Sequence, residues 1–232
     1  VNRFLTHWLD RMKAIYVAVS LPPEFRYPAE GNRDSPSAIR HPPSTIPASD
    51  SGDLFLRDCL LPLLAERRMP FAMMIGSRCR TRVNPALRDA GDMVGKADVM
   101  SVVNLCREFP KNKFLVTMLA RENQHELCVA ARKFGNLMVF GCWWFLNNPS
   151  LIEEITRMRI ELLGTSFCPQ HSDARVLDQL IYKWGHSRRI IAKVLADKYA
   201  DLEEAGYRVT RAHMERDARL LLRDNFREFV KR

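Results

Sequence analysis

The sequence lacks the local patterns that mark several common classes of protein. Its six cysteines include no C-x-x-C pair, which excludes a zinc ribbon and a redox motif and favours a reduced, cytoplasmic protein. No apolar run approaches the roughly 20 residues that a membrane span requires, and no charged-then-apolar leader opens the chain. No phosphate-binding glycine motif and no internal repeat is present. We therefore expect one globular domain over residues 1–232.

Histidine pairs with metal-ligand spacing are also missing. The six histidines stand at positions 7, 41, 125, 171, 186 and 213, and no two of them form HxH, HExxH or HxxxH. This excludes a complete metal site built from neighbouring histidines. We expect Cys142 and Cys168 to pack as small apolar side chains, because buried thiols are usually inert.

The charge is strongly positive without being concentrated in one place. Lys plus Arg exceed Asp plus Glu by 36 − 27 = +9, which suits an anionic partner such as nucleic acid, a membrane surface or a carboxylate substrate. The arginines are scattered along amphipathic segments, as on solvated helix faces, and they form no continuous patch or nucleic-acid motif. The sequence thus predicts neither a nucleic-acid nor a membrane partner.

Short apolar runs alternate with helical patterns along the 232 residues, of which 47% are hydrophobic. This alternation predicts an α/β fold with a parallel sheet and crossover helices, either an open doubly wound sheet or part of a barrel. The predicted strands cover residues 13–21, 70–76, 113–119, 137–143 and 165–169. The predicted helices lie near residues 53–68, 97–108, 122–134 and 149–163.

The ends of several elements are marked by capping residues. Asn148 and Pro149 predict an N-cap and first helical position, and Gly164 predicts the end of that helix. Beyond it, apolar stripes predict one helix that carries Val176 to Trp184, another over 188–204, and a last helix capped by Thr210. Residues 26–52 are rich in Pro, Ser and Gly and predict a flexible loop insertion.

The carboxyl ends of the predicted strands are where function is expected in either fold. Asp173 and Arg175 follow the last predicted strand, where an aspartate can bind a divalent metal or take a proton and an arginine can hold a carboxylate. In the alternative interpretation, Asp173 or Ser172 caps a helix that starts near Ala174, and Arg175 faces water.

Two further groups follow other strands. Trp143 and Trp144 are typical of a sugar-binding pocket, although the same residues could pack between strands and helices. Arg78, Arg80 and Arg82 alternate after residues 70–76 and could project together toward an anion, or form a solvated loop.

Several of these segments together resemble a known family. FGCWWFLNN (140–148), IEEITRMRIELLG (152–164), HSDAR (171–175) and LDQLIYKWGHSRRIIAKVL (177–195) resemble the C-terminal part of uronate (glucuronate) isomerases. These enzymes belong to the amidohydrolase superfamily of metal-dependent (β/α)8 barrels. The resemblance covers most of the chain and is strongest from about residue 110.

The resemblance implies an aldose–ketose isomerase that acts on hexuronates, in a reaction of the glucuronate-to-fructuronate type. Asp173 matches an aspartate that lies at the metal and transfers a proton, and Arg175 matches a substrate contact. Trp143 and Trp144 match a tryptophan pair near the sugar. A carboxylate substrate also gives Arg78 and Arg80 a binding role.

Two departures from the family shape the expectation further. Met74 stands where the family has a histidine, and the HxH of the family's first strand is absent. Because the chain also opens on Val1, we expect it to be the later part of the barrel, with about five βα units and extra C-terminal helices. The resemblance implies a divalent metal such as zinc, and we expect a homo-oligomer. The alternatives are a metal-dependent hydrolase or decarboxylase of the same superfamily, or a non-catalytic barrel.

Overall fold

A computed structural model describes residues 1–28, 52, 54–78 and 83–231 of the chain. Most of the predicted loop insertion, from residue 29 to residue 51, lies outside the described residues. The main sheet contains four parallel strands in the order β1-β2-β5-β6. These strands are β1 (Val17–Leu21), β2 (Phe71–Ile75), β5 (Phe114–Met118) and β6 (Leu137–Val139). The predicted α/β fold with a parallel sheet is therefore confirmed.

Along each strand of this sheet, successive side chains point to opposite faces, as the two-residue period of a β-strand requires. In β2, Phe71, Met73 and Ile75 join the main core cluster. Ala72 and Met74, which alternate with them, therefore lie on the opposite face. The core cluster is thus the layer between one face of the sheet and the crossover helices.

Helices follow the strands in the order that the sequence predicts. The α-helices are α1 (Asn2–Arg11), α2 (Leu61–Glu66), α3 (Val99–Glu108), α4 (Gln124–Ala131), α5 (Pro149–Leu163), α6 (Leu177–Glu204), α7 (Arg211–Arg219) and α8 (Asn225–Phe229). Asn148 caps α5 by accepting from the N–H of Leu151, and Gly164 ends the helix, as predicted. Thr210 likewise caps α7. Across the parts of the chain that the structure covers, no helix combines the length and apolarity needed to cross a membrane.

Short elements that were not predicted interrupt this pattern. β3 (Ser77–Arg78) and β4 (Met93–Val94) form a two-stranded antiparallel hairpin. π-helical turns precede α2 and α8 at Leu56–Leu60 and Leu220–Asp224. Turns of 3₁₀ type cover Pro85–Ala90, Arg121–Asn123 and Trp144–Leu146.

Four predictions about elements require correction. The strand predicted over residues 137–143 ends at Val139. The fifth strand, predicted over residues 165–169, is reduced to one parallel bridge between Phe140 and Cys168. The two helices predicted after residue 174 are one continuous helix, α6, because Gly185 does not break it. The strand predicted from residue 13 begins only at Val17, and α1 precedes it.

The C-terminal helices pack against the end of the sheet at which the strands begin. Asn225 donates from Nδ2 to the carbonyl oxygen of Phe167 at 2.9 Å. Lys113, directly before β5, donates from Nζ to the carbonyl oxygen of Phe229 at 3.0 Å. The ring of Phe226 meets that of Tyr16, just before β1, with 6.0 Å between centroids. The carboxyl ends of the strands, at the opposite end of the sheet, are not covered by these contacts, and a site is expected there.

Candidate functional site

A hydrogen bond joins two of the predicted site residues at the carboxyl ends of adjacent segments. Trp143, four residues beyond β6, donates from Nε1 to Oδ2 of Asp173 at 3.1 Å. Trp143 is buried, at 4% exposure, whereas Asp173 is exposed. The bridge between Phe140 and Cys168 aligns the two segments, so that residues 30 positions apart meet at one edge of the sheet. A carboxylate is thus held in place beside an aromatic wall.

The backbone around this hydrogen bond adopts uncommon conformations. Trp144 has φ +41° and Asp173 has φ +44°, while Gly141 has φ +69°. A positive φ is tolerated by glycine and by aspartate, but it is an outlier for a bulky side chain such as tryptophan. Such conformations persist where the surrounding structure fixes them, and they concentrate at functional sites.

Gly141 allows a close approach between the two segments. A β-carbon at this position would lie 2.2 Å from Cβ of His171, so no other residue fits there without a shift. The imidazole of His171 also meets the ring of Phe140, with 5.2 Å between centroids. Burial lowers the pKa of His171, which favours the neutral ring at neutral pH, and its Nδ1 has no hydrogen-bond partner among the described residues.

The turn that carries Asp173 is not a helix cap. α6 begins at Leu177 after Val176, which gives no side-chain cap, so the alternative in which Asp173 or Ser172 caps a helix at residue 174 is wrong. Nζ of Lys183 donates to the carbonyl oxygen of Asp173 at 3.1 Å and holds the turn against α6.

Arg175, the second predicted catalytic residue, is exposed two positions after Asp173. Its backbone N–H donates to Oε1 of Gln179 at 2.8 Å, which fixes the main chain. Its exposure agrees with the alternative in which Arg175 faces water, and it also leaves the guanidinium accessible to a ligand.

The other predicted substrate-binding residues are Trp144, Arg78 and Arg80. Trp144 is half-buried, and its ring stacks on that of Phe145 with a centroid distance of 4.6 Å and an interplanar angle of 15°. Arg78 pairs with Glu24 across 2.8 Å. Arg80, the other arginine predicted to bind substrate, lies outside the described residues. The structure therefore joins Trp143 to Asp173, whereas the ion pair of Arg78 ties it to the segment after β1.

Two polar side chains, Gln170 and His186, were not predicted as site residues. Gln170 is 7% exposed, and both its Oε1 and its Nε2 lack a partner among the described residues. Nε2 of His186, on α6, lies 3.0 Å from Oδ1 of Asn147. Gln170 directly precedes the HSDAR segment (171–175), but nothing in the sequence indicates that its amide is buried without a partner among the described residues.

The nearby thiols are held in their protonated form. Burial raises the pKa of Cys168 to about 12 and also raises that of Cys142, while the charge of Arg159 opposes the rise in both. Because the thiolate is the reactive species, neither cysteine is suited to act as a nucleophile at neutral pH. The expectation that both pack as small apolar side chains agrees with this.

The described residues do not by themselves form a metal centre. No group of three His, Cys, Asp or Glu side chains within them is placed to hold an ion. Asp173 offers a single carboxylate, and the ring of His171 is turned against Phe140. A divalent ion needs three or more protein ligands in most catalytic sites, so the donor set of these residues does not fit one.

The chain is similar to solved structures of uronate and glucuronate isomerases. It matches a uronate isomerase from Bacillus halodurans with 57% sequence identity and a TM-score of 0.85, over 99% of this chain and 49% of that one. A glucuronate isomerase from Caulobacter crescentus matches at 15% identity and a TM-score of 0.69, over 98% and 49%. A uronate isomerase from Thermotoga maritima matches at 17% identity and a TM-score of 0.67, over 93% and 49%.

The two distant matches show a shared fold, whereas the Bacillus protein is in addition 57% identical to this chain over the matched half of its length. The chain spans about half the length of these structures. No family model and no curated protein matches it.

Proposed function

The resemblance to uronate isomerases is confirmed over nearly the whole chain, and from it we propose that the chain forms part of a hexuronate aldose–ketose isomerase. The observation that carries the proposal is the 57% identity, joined to the hydrogen bond between Trp143 and Asp173. Those two residues belong to the segments by which the sequence resembles the family.

The proposed reaction moves a proton between C1 and C2 of the sugar through an enediol. Such a step needs a base that is held at a fixed place beside the substrate. Trp143 holds one carboxylate oxygen of Asp173, and no described residue donates to the other oxygen, Oδ1. We assign Asp173 to the proton transfer and the wall formed by Trp143 and Trp144 to the sugar.

Arg175 is the proposed contact for the substrate carboxylate. A guanidinium binds a carboxylate with two parallel hydrogen bonds, which fixes orientation as well as charge. Its position two residues after Asp173, with a fixed backbone and an exposed side chain, suits that task.

The proposed fold of the complete enzyme is a (β/α)8 barrel. β1 pairs only with β2 in the described sheet and forms one of its edges. Closed barrels leave no free strand edge, so we infer that further strands complete the sheet in the active enzyme.

We further propose that the chain alone self-associates, since Leu177 and Ile181 on α6 are 79% and 78% exposed. Size-exclusion chromatography with light scattering checks this. A stable monomer that unfolds cooperatively would contradict it.

A chimeric enzyme tests the proposed function directly. In it, this chain replaces the matching half of the Bacillus halodurans uronate isomerase, and conversion of glucuronate to its ketose is followed. We expect turnover, and we expect Asp173→Asn to lower kcat by about 10²- to 10⁴-fold, the usual contribution of a general base.

The matched control is Asp178→Asn, an equally exposed aspartate in the first turn of α6. It should leave kcat unchanged, because nothing links it to Trp143. A folded chimera without turnover, or an Asp173→Asn variant with undiminished kcat, would remove the proposal.

A further inference from the structure

Arg159 is a buried cation on α5 with neutral partners. It is 0% exposed and is the largest of the fully buried side chains. Its Nη1 donates to the carbonyl oxygen of Gly141 at 2.8 Å, and its Nη2 donates to Oε1 of Gln124 at 2.9 Å. Its guanidinium carbon lies 6.0 Å from the ring centroid of Phe167. Within the described ranges, the ion pairs of α5 involve other residues.

A packing role alone does not explain this residue. Burial of a charge without a counter-charge costs free energy, and an apolar side chain of similar volume would fill the space without that cost. A guanidinium offers donors in fixed directions, which an apolar side chain lacks. The arrangement therefore suits a residue that must hold two acceptors in a defined geometry.

The two acceptors lie where neighbouring strands end. Gln124 donates from Nε2 to the carbonyl oxygens of Met118, at 2.8 Å, and Ala120, at 3.1 Å, at the end of β5. Gly141 follows β6, and its carbonyl oxygen is the other acceptor. Arg159 thus links the carboxyl ends of β5 and β6 through buried hydrogen bonds.

We propose that Arg159 is a positioning residue for the candidate site, which fixes the Gly141 carbonyl and thereby the turn that carries Trp143 to Asp173. Gly141 lies two residues before Trp143 and directly against His171, which lies two residues before Asp173. One anchor therefore fixes both sides of the hydrogen bond. The inference rests on the proposed function only in taking that hydrogen bond to belong to a sugar-acid site.

The indole N–H of Trp143 reports on this geometry in a two-dimensional ¹H–¹⁵N NMR spectrum of the whole chain. The chain has four tryptophans, and Trp143→Phe assigns the signal. We expect Arg159→Met to shift the Trp143 signal more than the other three indole signals, because the Gly141 carbonyl loses its donor. Arg159→Lys keeps the positive charge but loses the paired N–H donors of the guanidinium. The Trp143 signal of this variant should therefore lie between the signals of the unaltered chain and of Arg159→Met.

Leu64→Ala is the matched control, since Leu64 is fully buried in the main core cluster on α2. It should lower the free energy of unfolding while the Trp143 signal stays in place. An unchanged signal in folded Arg159→Met would overturn the inference. Should that variant not fold, Gln124→Met removes the acceptor of Arg159 at the end of β5 together with the donor to Met118 and Ala120. An unchanged Trp143 signal in that protein would also overturn the inference.

Titration of the chimeric enzyme with glucuronate, with and without Arg159→Met, separates this inference from the proposed function. We expect Arg159→Met to weaken glucuronate binding by on the order of 10- to 100-fold, as supporting residues do at other sites. If the unaltered chimera does not bind glucuronate but Arg159→Met still shifts the Trp143 signal of the whole chain, the positioning role stands and the sugar-acid site falls. Equal glucuronate affinity in both proteins would show that Arg159 does not position the site.

Discussion

Gly141 is the position at which the smallest change should disturb the site most. Replacement by alanine adds one carbon, which would lie 2.2 Å from Cβ of His171 and 3.1 Å from its backbone nitrogen. Ordinary contacts between carbon atoms lie at about 3.5–4.0 Å, so the two segments must separate by more than ~1 Å. Because His171 is attached to the turn of Asp173, this separation acts directly on the Trp143–Asp173 hydrogen bond.

Two contributions add up in the Gly141→Ala variant. The φ of +69° costs an alanine roughly 1–2 kcal/mol relative to glycine. Overpacking in a filled interior costs about 1–3 kcal/mol more. We expect the free energy of unfolding to fall by about 2–5 kcal/mol, a large part of the roughly 5–15 kcal/mol of an ordinary domain.

Two other glycines separate the contributions. Gly206 has φ +85° but nothing within 4 Å of an added β-carbon, so Gly206→Ala should lose only the conformational part, about 1–2 kcal/mol. Gly185 lies inside α6 with equally open surroundings, so Gly185→Ala should stabilise by about 0.5–1 kcal/mol. Urea unfolding followed by circular dichroism measures all three. If Gly141→Ala loses no more stability than Gly206→Ala, the close approach to His171 is not as described.

Three further changes have outcomes that follow from single contacts. Gln170→Leu removes two buried polar atoms without described partners and should leave urea stability unchanged or raise it by about 1–3 kcal/mol. The pKa of His171 is lowered by burial, so the unfolded chain takes up the proton first and stability falls as the pH drops below about 6.5. His171→Gln should therefore flatten the pH dependence below that value in urea titrations. Asn148→Ala removes the cap of α5 and should cost about 0.5–2 kcal/mol in thermal unfolding.

The boundaries that sequence predicted well are those set by local chemistry. Asn148 with Pro149 and Gly164 mark the two ends of α5, and Thr210 marks the start of α7, because a cap depends on residues within one turn. The positions of β2 and β5 could also be predicted from the sequence, because both faces of these strands are covered and their apolar runs are nearly continuous.

Boundaries that depend on distant contacts were not predicted. Residues 165–169 have the composition of a strand, but only Cys168 finds a partner in Phe140. Gly185 lowers helix propensity by about 1 kcal/mol, which packing of α6 against α5 overrides. The short β3–β4 hairpin depends on pairing across an intervening segment, which periodicity cannot detect.

The same division applies to the site. Trp143 and Asp173 could be identified because strand ends in parallel sheets share one edge, and a family resemblance singled them out. Their hydrogen bond could not be predicted, since residues 30 positions apart meet only through the bridge beside them. Arg159 was not predicted either, because its position on the amphipathic helix α5 gives no sign that it lies buried against Gly141.

The strained backbone conformations at the site depend on the buried polar contacts beneath it. Trp144 and Asp173 both hold positive φ values, which cost of order 1–3 kcal/mol each and relax unless neighbouring contacts prevent it. The contacts that prevent it are the Arg159 hydrogen bond to Gly141 and the bridge that joins the two segments. It follows that weakening these buried contacts should release the turn before the sheet unfolds, so site geometry is lost at milder denaturant than secondary structure.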